Sequence, residues 1–318
     1  MDTQILLISA DHGHLLEHSL PAAIAQPGAE VTVIDNGSAD STSAVTAKHG
    51  ARHLRLDRRL SWAAANNAAI ASTGGGGVLL VNADCFLEPG FLAAARPRLD
   101  EPGVASVAPR LLRTEGPDPG GRLDAIDCAG MVVDRRRRNR LGGFGSPALA
   151  YDTPCEVFGA DGAAALYRRD ALEDCRLRGQ ILDESMESWA SDVDLAWRAR
   201  RLGWRSVYEP GAVAYHVRSY SPATRAGMPE EERRIQYRNR YLMMVKNDTS
   251  ALVRDLPRIA AWEVAALGWA VLRERHLLRA YGEAARRLPE ALRARAELRR
   301  RLQDRGAVTV PFGLEAIR

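Results

Sequence analysis

The sequence predicts an α/β protein: a mainly parallel sheet flanked by helices, followed by a C-terminal helical extension. Three observations carry this. Short β-rich runs alternate with helical patterns through the first half of the chain, which is the signature of βαβ units. Two of those runs end on an aspartate, Asp35 after VTVI and Asp84 after VLLVNA, and in open sheets ligands gather beyond the carboxyl ends of the strands. Beyond residue 230 the pattern turns helical and basic. Residues 231–318 hold 19 Arg/Lys against 11 Asp/Glu, whereas residues 1–230 hold 25 against 29.

The elements follow in order. QILLIS (4–9) and VTVID (31–35) read as strands, with a leucine/alanine helix pattern at 14–26 between them. SADSTSAVTAKHG (38–50) reads as a cap and a helix, HLRL (53–56) as a strand, 62–72 as a helix and 77–82 as a strand. VASVAPRLL, from residue 104, continues the sheet, and CEVFGADGAAALYRRDAL (155–172) reads as strand, tight turn, strand and helix start. Between them DRRRRNRLGGFGSP (134–147) reads as an exposed basic loop with arginines 135–138 solvated. It lacks interleaved aromatics, so no nucleic-acid surface is expected.

Ser191 is the expected N-cap of a helix whose first turn carries Asp192 and Asp194, where the helix dipole favours carboxylates. Asp194 and Arg198 are spaced to pair on one face. RSVYEPGAVAYH (205–216) reads as a pair of strands, and RSYSPATRAGMPEEE (218–232) as a mobile loop or linker. The helical pattern beyond it is expected to break at Pro257 and Pro289. The division this implies is a sheet domain over 1–230, in halves 1–103 and 104–230, and a helical extension over 231–318.

The 318 residues, 46% hydrophobic and 26% charged, are an ordinary globular composition with a net charge of +4. The four cysteines show no CxxC and no metal-site spacing, which predicts reduced thiols and a cytoplasmic protein. MDTQILLIS lacks the basic start of a leader peptide. The longest apolar run, residues 259–272, contains Glu263, and a membrane span needs about 20 apolar residues. The glycines at 74–77 precede a strand and no Gly-Lys-Ser/Thr follows, so they do not form a phosphate-binding P-loop.

Taken in order, VIDNGSADST, SWAAANNAAI, LLVNADC and ASDVDLAWR resemble the signature of inverting family 2 glycosyltransferases of the GT-A fold. The likeness runs from about residue 4 to RNRYLMMVKN at 238–247. The Asn-Ala-Asp at 82–84 is similar to the rhamnosyltransferase-like branch, whose members carry Asn-Pro-Asp where others carry Asp-x-Asp. The resemblance implies transfer of a sugar, rhamnose in that branch, from a dTDP- or UDP-sugar to a hydroxyl acceptor such as a cell-envelope glycan or a lipid-linked saccharide. It implies Mg²⁺ or Mn²⁺ as cofactor, held by Asp84 and by His216 at the end of VAYH. A lone histidine at a strand end is more often structural than ligating.

By the same resemblance Ser9, Asp11, Asp35, Asn66, Asn82, Ala83 and Asp84 face the nucleotide, with Asp35 accepting from the imide N–H of uracil or thymine. Asp192 takes the position of the base that removes the acceptor's proton. Gly159, Ala160 and Asp161 match a loop approaching the sugar. Trp189 offers a platform for a sugar ring, or equally an ordinary core tryptophan.

Three departures bear on the donor: SAD at 9–11 in place of a Ser-Tyr-Asn-like triplet, Asn82 in place of an acid, and Ser191 in place of the acid before the base. Two other readings stay open. A nucleotidyltransferase shares the parallel sheet, although SADHGHLLEH does not look like its glycine-rich basic loop. A nucleotide-binding scaffold without turnover fits Asn82 and Ser191. In the extension, Trp262 and Trp269 lie seven apart on one helix face with Arg258, Arg273, Arg275 and Arg279 around them. This pattern suits a face packed on the sheet domain or in a homodimer, or a peripheral helix on an anionic membrane, on the inner face of the bilayer.

Overall fold

In the computed structural model, which describes residues 2–220, 224–303, 305 and 308–314, the first strand sets the architecture. β1 (Thr3–Ser9) is buried along its whole length. Its side chains alternate, Ile5 and Leu7 entering one core and Leu6 and Ile8 the other. A strand buried on both faces has to be covered by helices on both sides.

The expected alternation then unfolds: α1 (Gly13–Ile24), β2 (Ala29–Asp35), α2 (Thr42–Lys48), β3 (Arg52–Arg55), α3 (Trp62–Ala71) and β4 (Gly77–Asn82). β1 is parallel to β2 and β4, and β2 to β3. The chain continues through β5 (Cys85–Leu87), α4 (Phe91–Asp100), β6 (Val104–Thr114), β7 (Arg122–Cys128), and a hairpin of β8 (Met131–Val133) and β9 (Asn139–Leu141). Next come β10 (Cys155–Val157), β11 (Ala164–Arg168), α5 (Arg169–Asp174), α6 (Ser191–Arg201) and β12 (Arg205–His216). Three helices close the chain: α7 (Glu230–Asn247), α8 (Ala251–Leu272) and α9 (Leu278–Arg301).

The main sheet has the order β10-β12-β6-β11-β4-β1-β2-β3, with β5 on β12 and β7 on β6. It is parallel from β4 to β3 and mixed elsewhere, because β11 runs antiparallel to both β4 and β6. α1 and α4 cover one face through Leu16, Leu20, Phe91 and Leu92. α3, α6 and α9 cover the other through Ala69, Leu195 and Leu298. A third cluster joins the β8–β9 hairpin to α6, α7 and the C-terminal segment through Met131, Trp197, Met243 and Val310.

Several expectations are corrected. Residues 205–216 form one strand, and Pro210-Gly211 lie in an irregularity where the register against β6 shifts between Glu209 and Val213. The arginine run is not a solvated loop. Arg137 is fully buried, its guanidinium between Asp248 at 2.7 Å and Asp255 at 2.8 Å and 3.9 Å over the Phe312 ring. Arg138 stacks on Trp262 at 4.1 Å, and β9 follows at once.

α8 and α9 run through Pro257 and Pro289, both on exposed positions. Packing on either side outweighs the one lost helical hydrogen bond at each. The breaks fall instead at 248–250 and 273–277. Of the expected linker, residues 221–223 lie outside the described residues, Arg225–Gly227 make a 3₁₀ turn and Glu230 already opens α7.

Candidate active site

The parallel strands end at one edge, and the chemistry collects there. β4 stops at Asn82, Ala83 turns the chain while its N–H donates to Ile8, and β5 then runs antiparallel to the end of β12. The register pairs Cys85 with His216, which brings Asp84 beside the imidazole. Asp84 Oδ1 lies 3.5 Å from His216 Nε2. The other ring nitrogen, Nδ1, meets Asp127 Oδ2 at 2.9 Å. Arg218 donates through Nε to both oxygens of Asp127, at 2.7 and 2.9 Å, and through Nη2 to Asp161 at 3.1 Å. Three carboxylates and two cations thus form one chain across the sheet edge.

The chain sets the charge states. Burial alone would raise the Asp84 carboxyl, but the facing His216 outweighs it and holds Asp84 below its ordinary value. Burial likewise opposes charge on His216, yet Asp127 and Asp84 on its two nitrogens push it up to about 9.

Asp84 Oδ1 is buried and makes no hydrogen bond among the described residues. A hard divalent cation often takes only one or two protein ligands, the rest coming from phosphate and water. Asp84 Oδ1 and His216 Nε2 fit such a set once the metal displaces the Nε2 proton, with Asp127 behind the imidazole in the usual place of a carboxylate that orients a ligating histidine. Among the described residues no group of three His, Cys, Asp or Glu side chains could hold a metal by itself.

Asn82 now has a local explanation. Its Oδ1 accepts from the Trp62 indole N–H at 3.1 Å, so the amide must present its carbonyl to the indole. The NH₂ end is left as a donor at the cleft, which a second carboxylate there could not supply.

The opposite wall is the start of α6. Ala190, at a left-handed φ of 66°, is the N-cap of α6, so Ser191, expected at the cap, is instead the first residue of the helix. Asp192 faces the cleft in the first turn. Its Oδ2 accepts from Gly162 N–H at 3.1 Å and its Oδ1 from Val193 N–H at 2.8 Å. A Cβ on Gly162 would sit 2.8 Å from the Trp62 ring and 3.3 Å from Asp192 Oδ2, so only glycine lets this loop pass between them. Partial burial, reinforced by the Asp161 carboxylate, pushes Asp192 up to about 6. Asp194 behaves as the spacing predicts, pairing with Arg198 at 3.0 Å, and also holds Lys246 at 2.9 Å.

Both walls open on one cleft of about 1510 Å³, lined by Asp84, Asp161, Asp192, His216 and Arg218 and also by Trp189, Trp262 and Trp269. The Trp189 indole N–H donates to Glu232 on α7. Asp35 ends β2, buried, and accepts from Ser38 N–H at 2.8 Å, Ser43 at 3.0 Å and Arg55 at 2.6 Å. Ser9 is buried against Thr42 at 3.0 Å. Asp11, exposed at φ 61°, accepts from Ala39 N–H and pairs with Arg59.

Asn66, Gly159 and Ala160, like Ser9, Asp11, Asp35 and Ala83, are not among the residues that line this cleft. Asn66 is buried and donates to the Trp62 carbonyl one turn back, while its neighbour Asn67 ties α3 to Leu182 and Glu184. Gly159 and Ala160 are buried, and a Cβ on Gly159 would meet Ala196 at 2.4 Å, so its small size serves the packing of α6. Sequence reading missed Asp127, Arg218, Trp62 and Gly162. Arg218 carried one signal: two residues after His216 in extended chain, it points to the same side.

Residues 10–176 match the family model described as Glycosyl transferase family 2. The chain belongs to this family. Among curated proteins this family 2 chain is 32% identical over 193 residues to a pre-mycofactocin glycosyltransferase of Mycobacterium tuberculosis, covering 59% of this chain and 37% of that one. It is 29% identical over 255 residues to an uncharacterized protein of Sinorhizobium fredii, covering 74% of this chain and 26% of that protein. The chain therefore spans well under half the length of these two relatives.

Among solved structures, residues 1–349 of S. aureus TarS in complex with UDP-GlcNAc superpose with a TM-score of 0.60 at 16% identity, covering 95% of this chain and 88% of that one. A mannosyltransferase of Pyrobaculum calidifontis in complex with GDP-Man and Mn²⁺ gives 0.55 at 17% identity, covering 96% and 88%. At these identities the likeness establishes the fold, which is GT-A-like.

Proposed function

We propose that this family 2 chain is an inverting, divalent-metal-dependent glycosyltransferase that moves a sugar from a nucleoside diphosphate to a hydroxyl acceptor. The observation that carries the reading is the opposition of two unlike carboxylates across one cleft, Asp84 beside His216 and Asp192 beside Gly162. Asp84 and His216 would hold Mg²⁺ or Mn²⁺, which when bound neutralises charge gathering on the departing diphosphate. Asn82 offers its NH₂ to the diphosphate or ribose.

Asp192, with its value near 6, is ionised at neutral pH and a stronger base than an ordinary aspartate. It takes the proton of the acceptor hydroxyl as that oxygen bonds to the anomeric carbon and the bond from that carbon to the diphosphate oxygen breaks on the far side. Gly162 N–H keeps the carboxylate aimed during this single displacement. Trp189, Trp262 and Trp269 give the acceptor flat apolar surfaces suited to sugar rings of a glycan or a lipid-linked saccharide.

Asp35 is assigned to the imide N–H of uracil or thymine, which requires a base to displace one of its present donors, Arg55 being the half-exposed one. The donor is accordingly a dTDP- or UDP-sugar, and Asn82-Ala83-Asp84 makes rhamnose the first sugar to try. Calorimetry with dTDP, UDP and GDP, with and without Mn²⁺, tests the reading. Metal-dependent binding of dTDP or UDP that Asp84→Ala abolishes is expected. Absence of metal-dependent binding to any of the three sinks it.

A further inference from the structure

α8 carries a face that nothing among the described residues covers. Val253, Pro257, Ala260, Val264, Leu267 and Val271 recur at three- and four-residue steps and all are exposed. Val253 and Val264 are each 74% accessible and Leu272 78%. The opposite face, with Asp255, Ile259, Ala266 and Ala270, is buried against the rest of the protein. A helix apolar on both faces is one that something else is meant to cover.

The charges along this face have one sign. Both acids of α8 are turned inward, Asp255 to Arg135 and Arg137, and Glu263 to Arg240 at 2.5 Å. The exposed charges are all arginines: Arg254 and Arg258 along one flank of the stripe, and Arg273, Arg275 and Arg279 beyond its C-terminal end. We propose that α8 is a membrane-surface helix, its apolar stripe seated in the interface of an anionic bilayer and its arginines on the lipid phosphates.

The 22 residues make a seam about 33 Å long. No helix among the described residues is long and apolar enough to cross a membrane, so α8 would lie in the interface plane. A second copy of the chain is the competing cover. A two-fold contact along α8, whether its axis runs along or across the helix, sets arginines against arginines, whereas lipid phosphates neutralise them. The surface argument does not depend on the transfer reaction.

The test co-sediments the chain with vesicles of phosphatidylcholine alone and of equal parts phosphatidylcholine and phosphatidylglycerol, beside sedimentation velocity for oligomeric state. Binding to the anionic vesicles is expected. It should fall roughly tenfold or more in Val264→Asp/Val271→Asp, and about fivefold for each of Arg258→Gln and Arg273→Gln. Melting of these variants should match the parent, because the replaced side chains already face solvent. Equal recovery with both lipids, recovery with neither, or a dimer that Val264→Asp dissociates would overturn the proposal.

Discussion

Asp84 and Asp192 are the same residue type on two walls of one cleft, and their surroundings push them in opposite directions. Asp84 faces an imidazole backed by Asp127 and Arg218, so its carboxyl is held low in spite of burial. Asp192 has only backbone N–H donors and a neighbouring carboxylate, so its carboxyl rises to about 6. A low, permanently charged carboxylate suits holding a cation, and a raised one suits proton transfer. Environments that drive two acids apart are a general way of dividing such roles.

The division is sharpest under Asp192→Asn. A loss of about 10²–10⁴-fold in kcat, with donor affinity by calorimetry unchanged, is the expected outcome. If donor affinity fell in step with the rate, both walls would be holding the donor and the contrast would collapse.

A smaller effect is expected one layer behind the other wall. Asp127→Asn removes the carboxylate that orients His216 and should weaken Mn²⁺-dependent nucleotide binding about 10- to 100-fold. The affinity measured without metal should move little. An equal loss in both would make Asp127 a purely structural residue.

The least effect lies in the pH profile of transfer. Asp192 must be unprotonated to act, so the rate should fall as pH drops through about 6. Because the Asp161 carboxylate helps raise that value, Asp161→Asn should move the acid limb to lower pH. An unmoved limb would assign the titration to another group.

How much of this was legible in the sequence differs between the halves of the chain. Through β4, the alternation of short β-rich runs with helical patterns and the aspartates at strand ends were readable, because both rest on local spacing. The acid–histidine pair was half readable: Asp84 and His216 stood out singly, but the β5–β12 register that joins them is a long-range pairing. The packing of Gly159 against Ala196 was not readable, because a glycine for close approach looks the same whatever its neighbour is. The arginine run was misread because its partners, Asp248 and Asp255, lie more than a hundred residues away.

By itself, then, the sequence determined the α/β alternation, the edge on which the acids gather, the ion pair of Asp194 with Arg198, and the family to which the chain belongs. These follow from periodicity and short spacings. The tertiary structure decided the rest: that Asp127 and Arg218 stand behind His216, that Trp62 claims the oxygen of Asn82, and that Asp192 sits close enough to Asp161 to be raised. Each depends on strands or loops distant in the chain being brought within a few ångströms, where burial and neighbouring charge, not residue type, set what a carboxylate can do.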